Sequence, residues 1–215
     1  MVDTNRRRNF YMLKNKNIVM FAALGLGFLT CMIILCITSA KEANSVSDSV
    51  LRFHIVANSD SEEDQTLKFK VRDGIATLTD KLFADAHTKE EAIDIARQNT
   101  DVIAAAAEEI LRQNGCNDSV QVAIRNLYFP TKTYENISFP AGSYDAIHIT
   151  LGTGSGQNFW CVMFPALCVP SVSQDNEELL SGVLEEGAME LVTHPYTLKF
   201  KTAELLGKLK NLFSN

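Results

Sequence analysis

Residues 18–37 read IVMFAALGLGFLTCMIILCI, twenty positions without a single charge. A helix needs about 20 apolar residues to cross a hydrocarbon core of about 30 Å, so this run sets the chain's relation to a membrane. Arg6, Arg7, Arg8, Lys14 and Lys16 precede it. Basic flanks stay in the cytoplasm, which sends everything after the run outward. The expected layout is a basic cytoplasmic tail over 1–17, a transmembrane or signal segment over 18–37, a polar linker over 38–49 and an extracytoplasmic domain over 50–215. Thr38-Ser39-Ala40 offers small residues to a signal peptidase, yet the apolar run exceeds the usual signal core of about 7–15 residues. Anchor and cleaved leader both stay open. Cys31 and Cys36 follow Thr30 and Leu35 rather than the small residues a lipidation site prefers, so they read as lipid-facing or packing thiols.

Charge separates the two parts. Residues 1–40 carry five bases and one acid, a net +4, while residues 41–215 carry 15 bases and 25 acids, a net −10. Phosphate backbones need a concentrated basic face, so an exterior this acidic excludes nucleic-acid binding. Overall, 46% of the 215 residues are apolar and 21% charged, which suits one anchor and one ordinary globular domain.

Within the exterior part, Val50 to Ala57 is an apolar, β-branched run that stops at Asn58-Ser59-Asp60, and it reads as a strand. Ser59 with Glu62 fits a capping box for a following helix, whose stripe is Leu67, Val71, Ile75, Leu78 and Leu82. Thr88 with Glu91 repeats the capping pattern. It opens a second helix with Ala92, Ala96, Ile103, Ala107, Ile110 and Leu111 inward, closed by Asn114-Gly115. The period then falls to two: Val120, Val122 and Ile124 on one strand, Tyr144, Ala146 and His148 on another. Gly152, Gly154 and Gly156 lead into the apolar run Phe159 to Phe164, and a hairpin is expected there. Phe129-Pro130 with Tyr134 is echoed ten residues later by Phe139-Pro140 with Tyr144, each Pro ending an extended run and each Tyr opening the next. A third helix is expected over 176–192, a short strand at Tyr196, Leu198 and Phe200, and a terminal helix with Leu205, Leu206, Leu209 and Phe213. Helices beside strands of this kind indicate an α+β fold, a mainly antiparallel sheet with packed helices after one N-terminal transmembrane or signal-anchor helix.

Chemistry is sparse. A nucleotide fingerprint needs a helix after its glycines, and here a strand follows. The four histidines are scattered and no Cys-x-x-Cys pair exists, so no metal is expected. Asn58, Asp60 and Glu62 imitate the start of a calcium loop, but Glu63 stands where its glycine belongs and Phe69 where its last acid belongs. Cys161 with His148 is the one nucleophile and base pair the hairpin would bring together, in no context specific for a protease. Cys161 and Cys168, bent at Pro165, can close a disulfide loop that leaves Cys116 unpaired, or remain two buried thiols.

Three longer stretches carry a resemblance. Leu51-Arg52-Phe53-His54-Ile55-Val56-Ala57-Asn58-Ser59-Asp60-Ser61-Glu62-Glu63-Asp64-Gln65, with Leu67 to Asp73 after it, closely resembles the stage II sporulation protein R family. So do Pro140-Ala141-Gly142-Ser143-Tyr144 and the run from Asn158 through Cys161 to Cys168. Phe159 stands where the family often has a second Trp, and Ala166 where it often has Pro. The resemblance implies a protein made in the forespore and exported into the space between the septal membranes, as a secreted or membrane-anchored domain. It implies a non-enzymatic signal there, with no cofactor and no small-molecule substrate. Its partner would be a membrane-embedded sporulation aspartic protease on the mother-cell side, which then cleaves the precursor of the early mother-cell sigma factor. The expected docking residues are Asn58, Ser59, Asp60, Ser61 and Glu62 at the helix cap, with Phe159 and Trp160 beside the glycine loop. An exported Cys-His hydrolase and a structural protein of the septal envelope are the alternatives.

Overall fold

The computed structural model describes residues 3–134, 137–168, 176–195 and 197–214, and for residues 1–15 it describes no side chains. A single helix, α1 (Asp3–Ser49), runs through the apolar segment and past it. The expected linker is therefore helical: Ser39, Val46 and Val50 are buried, because the last turns of α1 pack on the domain instead of standing off it.

The rest of the chain follows as β1 (Leu51–Val56), α2 (Glu62–Leu82), α3 (Lys89–Gln98), α4 (Thr100–Gln113), β2 (Val120–Phe129), β3 (Lys132–Tyr134), β4 (Ile137–Phe139), β5 (Gly142–Leu151), β6 (Asn158–Phe164), α5 (Asn176–Ser181), α6 (Glu186–Thr193) and α7 (Leu198–Ser214). The main sheet has the order β2-β5-β1-β6, and β3 pairs with β4 separately. β2 and β6 pair antiparallel to their neighbours, whereas β1 and β5 run parallel. The fold is α+β with a mixed, mostly antiparallel sheet.

Both faces of the sheet are covered, since side chains alternate along each strand. Phe53, Ile55, Ile147, Ile149, Cys161 and Met163 join Leu67, Val71, Ile75, Ile103 and Leu111 under α2, α3 and α4. On the other face Tyr144, Ala146, Val162 and Phe129 pack with Val46, Leu191, Phe200 and Ala203 from α1, α6 and α7.

Four expectations are corrected. The helix expected from Thr88 to Asn114 is two helices that meet at Asn99, whose amide side chain donates to the Ile95 carbonyl at 2.8 Å and ends α3. The helix expected over 176–192 breaks between α5 and α6, at Gly182 among others, a residue that weakens helices. The short strand expected at Leu198 and Phe200 is the start of α7; its third member, Tyr196, lies outside the described residues. Thr197 explains the change, because its hydroxyl accepts the Phe200 amide at 3.3 Å as a helix cap does. Finally, β5 and β6 form no hairpin. β1 lies between them, since both of its faces are covered: Leu51, Phe53 and Ile55 are buried on one, Arg52 and Val56 on the other.

Candidate partner-binding surface

With β1 between β5 and β6, the glycine loop has to cross the end of β1. It therefore meets the segment that leaves β1 for α2. Asn58 Oδ1 accepts the Thr153 amide at 3.0 Å, and the Asn58 carbonyl accepts the Ser155 amide at 3.1 Å and the Thr153 hydroxyl at 2.9 Å. The Ala57 carbonyl accepts the Gly156 amide at 3.0 Å, and Asp60 Oδ1 accepts the Gln157 amide at 2.7 Å. Glycine is required at the closest point: a Cβ on Gly156 would lie 2.2 Å from the Ser59 carbonyl oxygen. Gly152 and Gly154 have φ of +55° and +63°, a region that L side chains avoid.

The start of α2 closes the same unit. Its cap is Ser61, not Ser59: the Ser61 hydroxyl accepts the Asp64 amide at 3.2 Å. Ser59 instead donates to Asp64 Oδ2 at 2.5 Å, and Asn58 Nδ2 donates to the same oxygen at 3.1 Å. These bonds, the Ser59 hydroxyl foremost, hold the Asp64 carboxyl below its ordinary range. Lys68, which is buried, donates to the Gln157 carbonyl at 3.1 Å and to Gln65 Oε1 at 2.5 Å. Burial lowers its pKa, opposed by the nearby charge of Asp60. Glu62, Glu63 and Asp64 occupy the first turn, so the helix terminus is already satisfied and repels an incoming anion.

Five of the seven expected docking residues thus fall on one surface, in different roles. Asn58 and Ser59 spend their side chains on internal bonds, while Asp60, Ser61 and Glu62 are exposed. Phe159 and Trp160 are parted, because successive side chains on β6 point to opposite faces. Phe159 packs edge-on to Phe69 at 5.8 Å between ring centres, with the Arg72 guanidinium 4.8 Å from the Phe69 ring centre and 4.9 Å from that of Phe159. Phe69 is 40% exposed. This Phe69, Arg72 and Phe159 patch adjoins the cap, and Phe69 and Arg72 were not expected in it. The available signal was that Phe69 falls off the buried stripe of its own helix.

Trp160 belongs to the opposite face. It stacks on His54 at 5.8 Å, with Lys132 Nζ 4.9 Å from its ring centre. His54 Nδ1 faces His148 Nδ1 at 3.0 Å, while His54 Nε2 meets Asn158 Oδ1 at 2.9 Å and His148 Nε2 meets the Thr150 hydroxyl at 3.2 Å. A short contact between two Nδ1 atoms needs one donor and one acceptor, so at least one ring is neutral. Burial, followed by the charges of His54 and Arg125, pushes His148 down to about 4.

The Cys161 and His148 pair does not form. Cys161 is in register with Phe53 and His148 with His54, which puts them on opposite faces of the sheet. Cys161 is moreover joined to Cys168 by a disulfide, with Cα atoms 5.6 Å apart, and Cys116 is a free thiol. Among the described residues no group of three or more His, Cys, Asp and Glu side chains is placed to hold a metal ion.

A family profile described as stage II sporulation protein R matches residues 47–174, more than half of the chain. Stage II sporulation protein R of Bacillus subtilis (strain 168) is 42% identical over 134 residues, which cover 61% of this chain and 60% of the relative. The alignment thus spans less than two thirds of that relative's length. No solved structure matches. The matched stretch contains β1, the cap, the glycine loop and the disulfide, all the parts from which this surface is built, and the chain belongs to the stage II sporulation protein R family.

Proposed function

We propose that this protein is an exported sporulation signal that works by contact. Made in the forespore, it presents the cap and glycine-loop surface to a membrane-embedded aspartic protease of the mother cell. The protease then cleaves the precursor of the early mother-cell sigma factor. The protein contributes a docking surface and no catalytic group of its own.

One observation carries this reading. Residues 58–62 and 152–157, some ninety positions apart in sequence, are bonded into a single exposed unit where β1 and β5 end. Helices α1 and α7 gather at the other end of those strands, where Gly207 approaches Ala141 and Gly142 and where Lys89 joins the Ser47 carbonyl to Asp145. The rigid surface is thus on the end of the sheet remote from the membrane-spanning helix, the arrangement a signal needs to reach a receptor across a gap. Exposed Phe69, with the partly buried Phe159 and Arg72 beside it, supplies residue types enriched in binding interfaces.

The test is co-expression of this protein, the protease and the sigma precursor in a heterologous host, with precursor cleavage followed by gel mobility. Cleavage should need residues 1–40 and should survive Cys161→Ala with Cys168→Ala. It should fall at least tenfold for Phe69→Ala with Phe159→Ala, about the loss of one modest hot spot. Cleavage lost with the cysteines in a folded, exported variant would favour the hydrolase. No cleavage with all three proteins present and exported would leave the septal structural role.

A further inference from the structure

Helix α7 has two apolar faces. Phe200 and Ala203 turn inward and are buried. Leu198, Leu205, Leu209, Leu212 and Phe213 turn outward and are 40–88% exposed. At 3.6 residues per turn, these five fall within an arc of about 100°. Lys201 and Lys208, which pair with Glu204 at 3.3 and 2.7 Å, border the arc on one side, Lys199 and Lys210 on the other. With Glu204 as its one acid, α7 carries a net +3, on an exterior part whose net charge is −10.

The start of α7 is tied to a definite place. Lys199 Nζ pairs with Glu42 Oε1 at 3.1 Å. Glu42 lies five residues beyond the apolar run on the unbroken helix α1, a rise of about 7.5 Å. The headgroup layer is about 5–8 Å deep on each side of the hydrocarbon. The first turn of α7 is therefore held at the margin of the headgroups whenever α1 spans a membrane.

We infer that α7 docks its outer leucine stripe on the anionic headgroup surface of the membrane that α1 crosses. The leucines and Phe213 would enter the acyl boundary, while Lys201 and Lys208, two cations sharing the single carboxylate of Glu204, extend their stems and reach lipid phosphates. Lysine borders favour lipid over protein, since lysine is depleted in protein interfaces. A second copy of the chain would set one +3 helix against another. The acidic remainder of the domain is repelled by the same surface, so the contact also orients the domain. This inference rests on α1 remaining attached as an anchor.

The test uses the full chain with Cys31→Ser, Cys36→Ser and Cys116→Ser, the disulfide intact, and Leu209→Cys as reporter. It is reconstituted into vesicles of phosphatidylcholine alone or mixed with phosphatidylglycerol, and labelled with a membrane-impermeant maleimide. Labelling should slow at least about tenfold in the anionic vesicles, little more than one lysine's attraction to such a surface. Lys201→Gln with Lys208→Gln should restore it. Val102→Cys, on an exposed site of α4, should label quickly in both, and Trp160 emission should report an unchanged fold. Equal rates for Leu209→Cys in both lipids would overturn the inference. Protection that follows protein density instead of lipid charge would overturn it in favour of self-association. Protein that fails to float with either vesicle would overturn the anchor itself, separately from the stripe.

Discussion

The carboxylate of Asp60 accepts the backbone N–H of Gln157 at 2.7 Å, so a residue just before α2 holds the last residue before β6. This bond fastens the glycine loop over the end of β1. Asp60→Ala leaves that amide to water and should cost about 1–2 kcal/mol, toward the low end for a charged acceptor because the site is exposed. Asp60→Asn keeps an acceptor oxygen and should cost less than half as much. Urea unfolding of the three proteins checks the order.

Gly156 permits the closest approach in the surface. Gly156→Ala forces a Cβ to within 2.2 Å of the Ser59 carbonyl, and backbone cannot swing aside as a side chain can. The variant should lose about 1–3 kcal/mol and with it most precursor cleavage. Gly182→Ala meets nothing nearer than 3.8 Å and should be neutral or slightly stabilising. Paired thermal melts decide the matter.

Arg52 is fully buried and has no carboxylate partner among the described residues. Its guanidinium lies 4.6 Å from the Phe129 ring centre, 5.2 Å from Phe139 and 5.1 Å from Tyr144, while Nε donates to the Cys161 carbonyl at 3.0 Å. Burial lowers its pKa and raises that of Tyr144. A flat, weakly hydrated cation suits this cage and a compact ammonium does not. Arg52→Lys should therefore cost about 2–4 kcal/mol, whereas Arg52→Met, apolar and similar in length, should stay within about 1.5 kcal/mol of the parent. A Lys variant more stable than the Met variant would refute the cage.

The His54 and His148 contact makes stability depend on pH. His148 is pushed down to about 4 in the folded protein, against 6.5 when unfolded. Between those values the unfolded chain binds more protons, so stability is full above pH 6.5 and is lost as pH falls toward 4. The pair is only partly buried, and solvent screening reduces the loss to about 1–2 kcal/mol. His148→Gln should flatten this part of the profile, measured as the melting temperature at pH 7.5 relative to pH 4.5 in the two proteins.

The disulfide between Cys161 and Cys168 closes a loop of eight residues, which by loop entropy is worth about 2.5 kcal/mol. Cys161→Ala with Cys168→Ala should lower stability by about that amount and leave precursor cleavage intact at permissive temperature. Calorimetry alongside the co-expression assay tests both halves.

Residues whose role depends on near neighbours were legible from the sequence. The uncharged run of residues 18–37 is long and apolar enough to cross a membrane, as a signal sequence or an anchor. The stripe Leu67, Val71 and Ile75 needs a helix, and Thr88 with Glu91 does form its capping box. Competition between local signals misled at Leu198 and Phe200, where three alternating residues were too few to outweigh the Thr197 cap. The patch residues Phe69 and Arg72 carry no local signal, because each gains its significance only beside Phe159, some ninety positions away.

Spacings of a few residues therefore suffice to specify the apolar span, most helices and strands with their inward faces, and the segments that resemble the family. The position of β1 between β5 and β6 is instead a property of the assembled sheet. That one insertion turns an expected hairpin into a crossing loop, brings Asn58 and Asp60 onto the glycine segment, and sends Cys161 and His148 to opposite faces. Strand order depends on which strand is best covered on both sides, a comparison among strands that no local pattern contains.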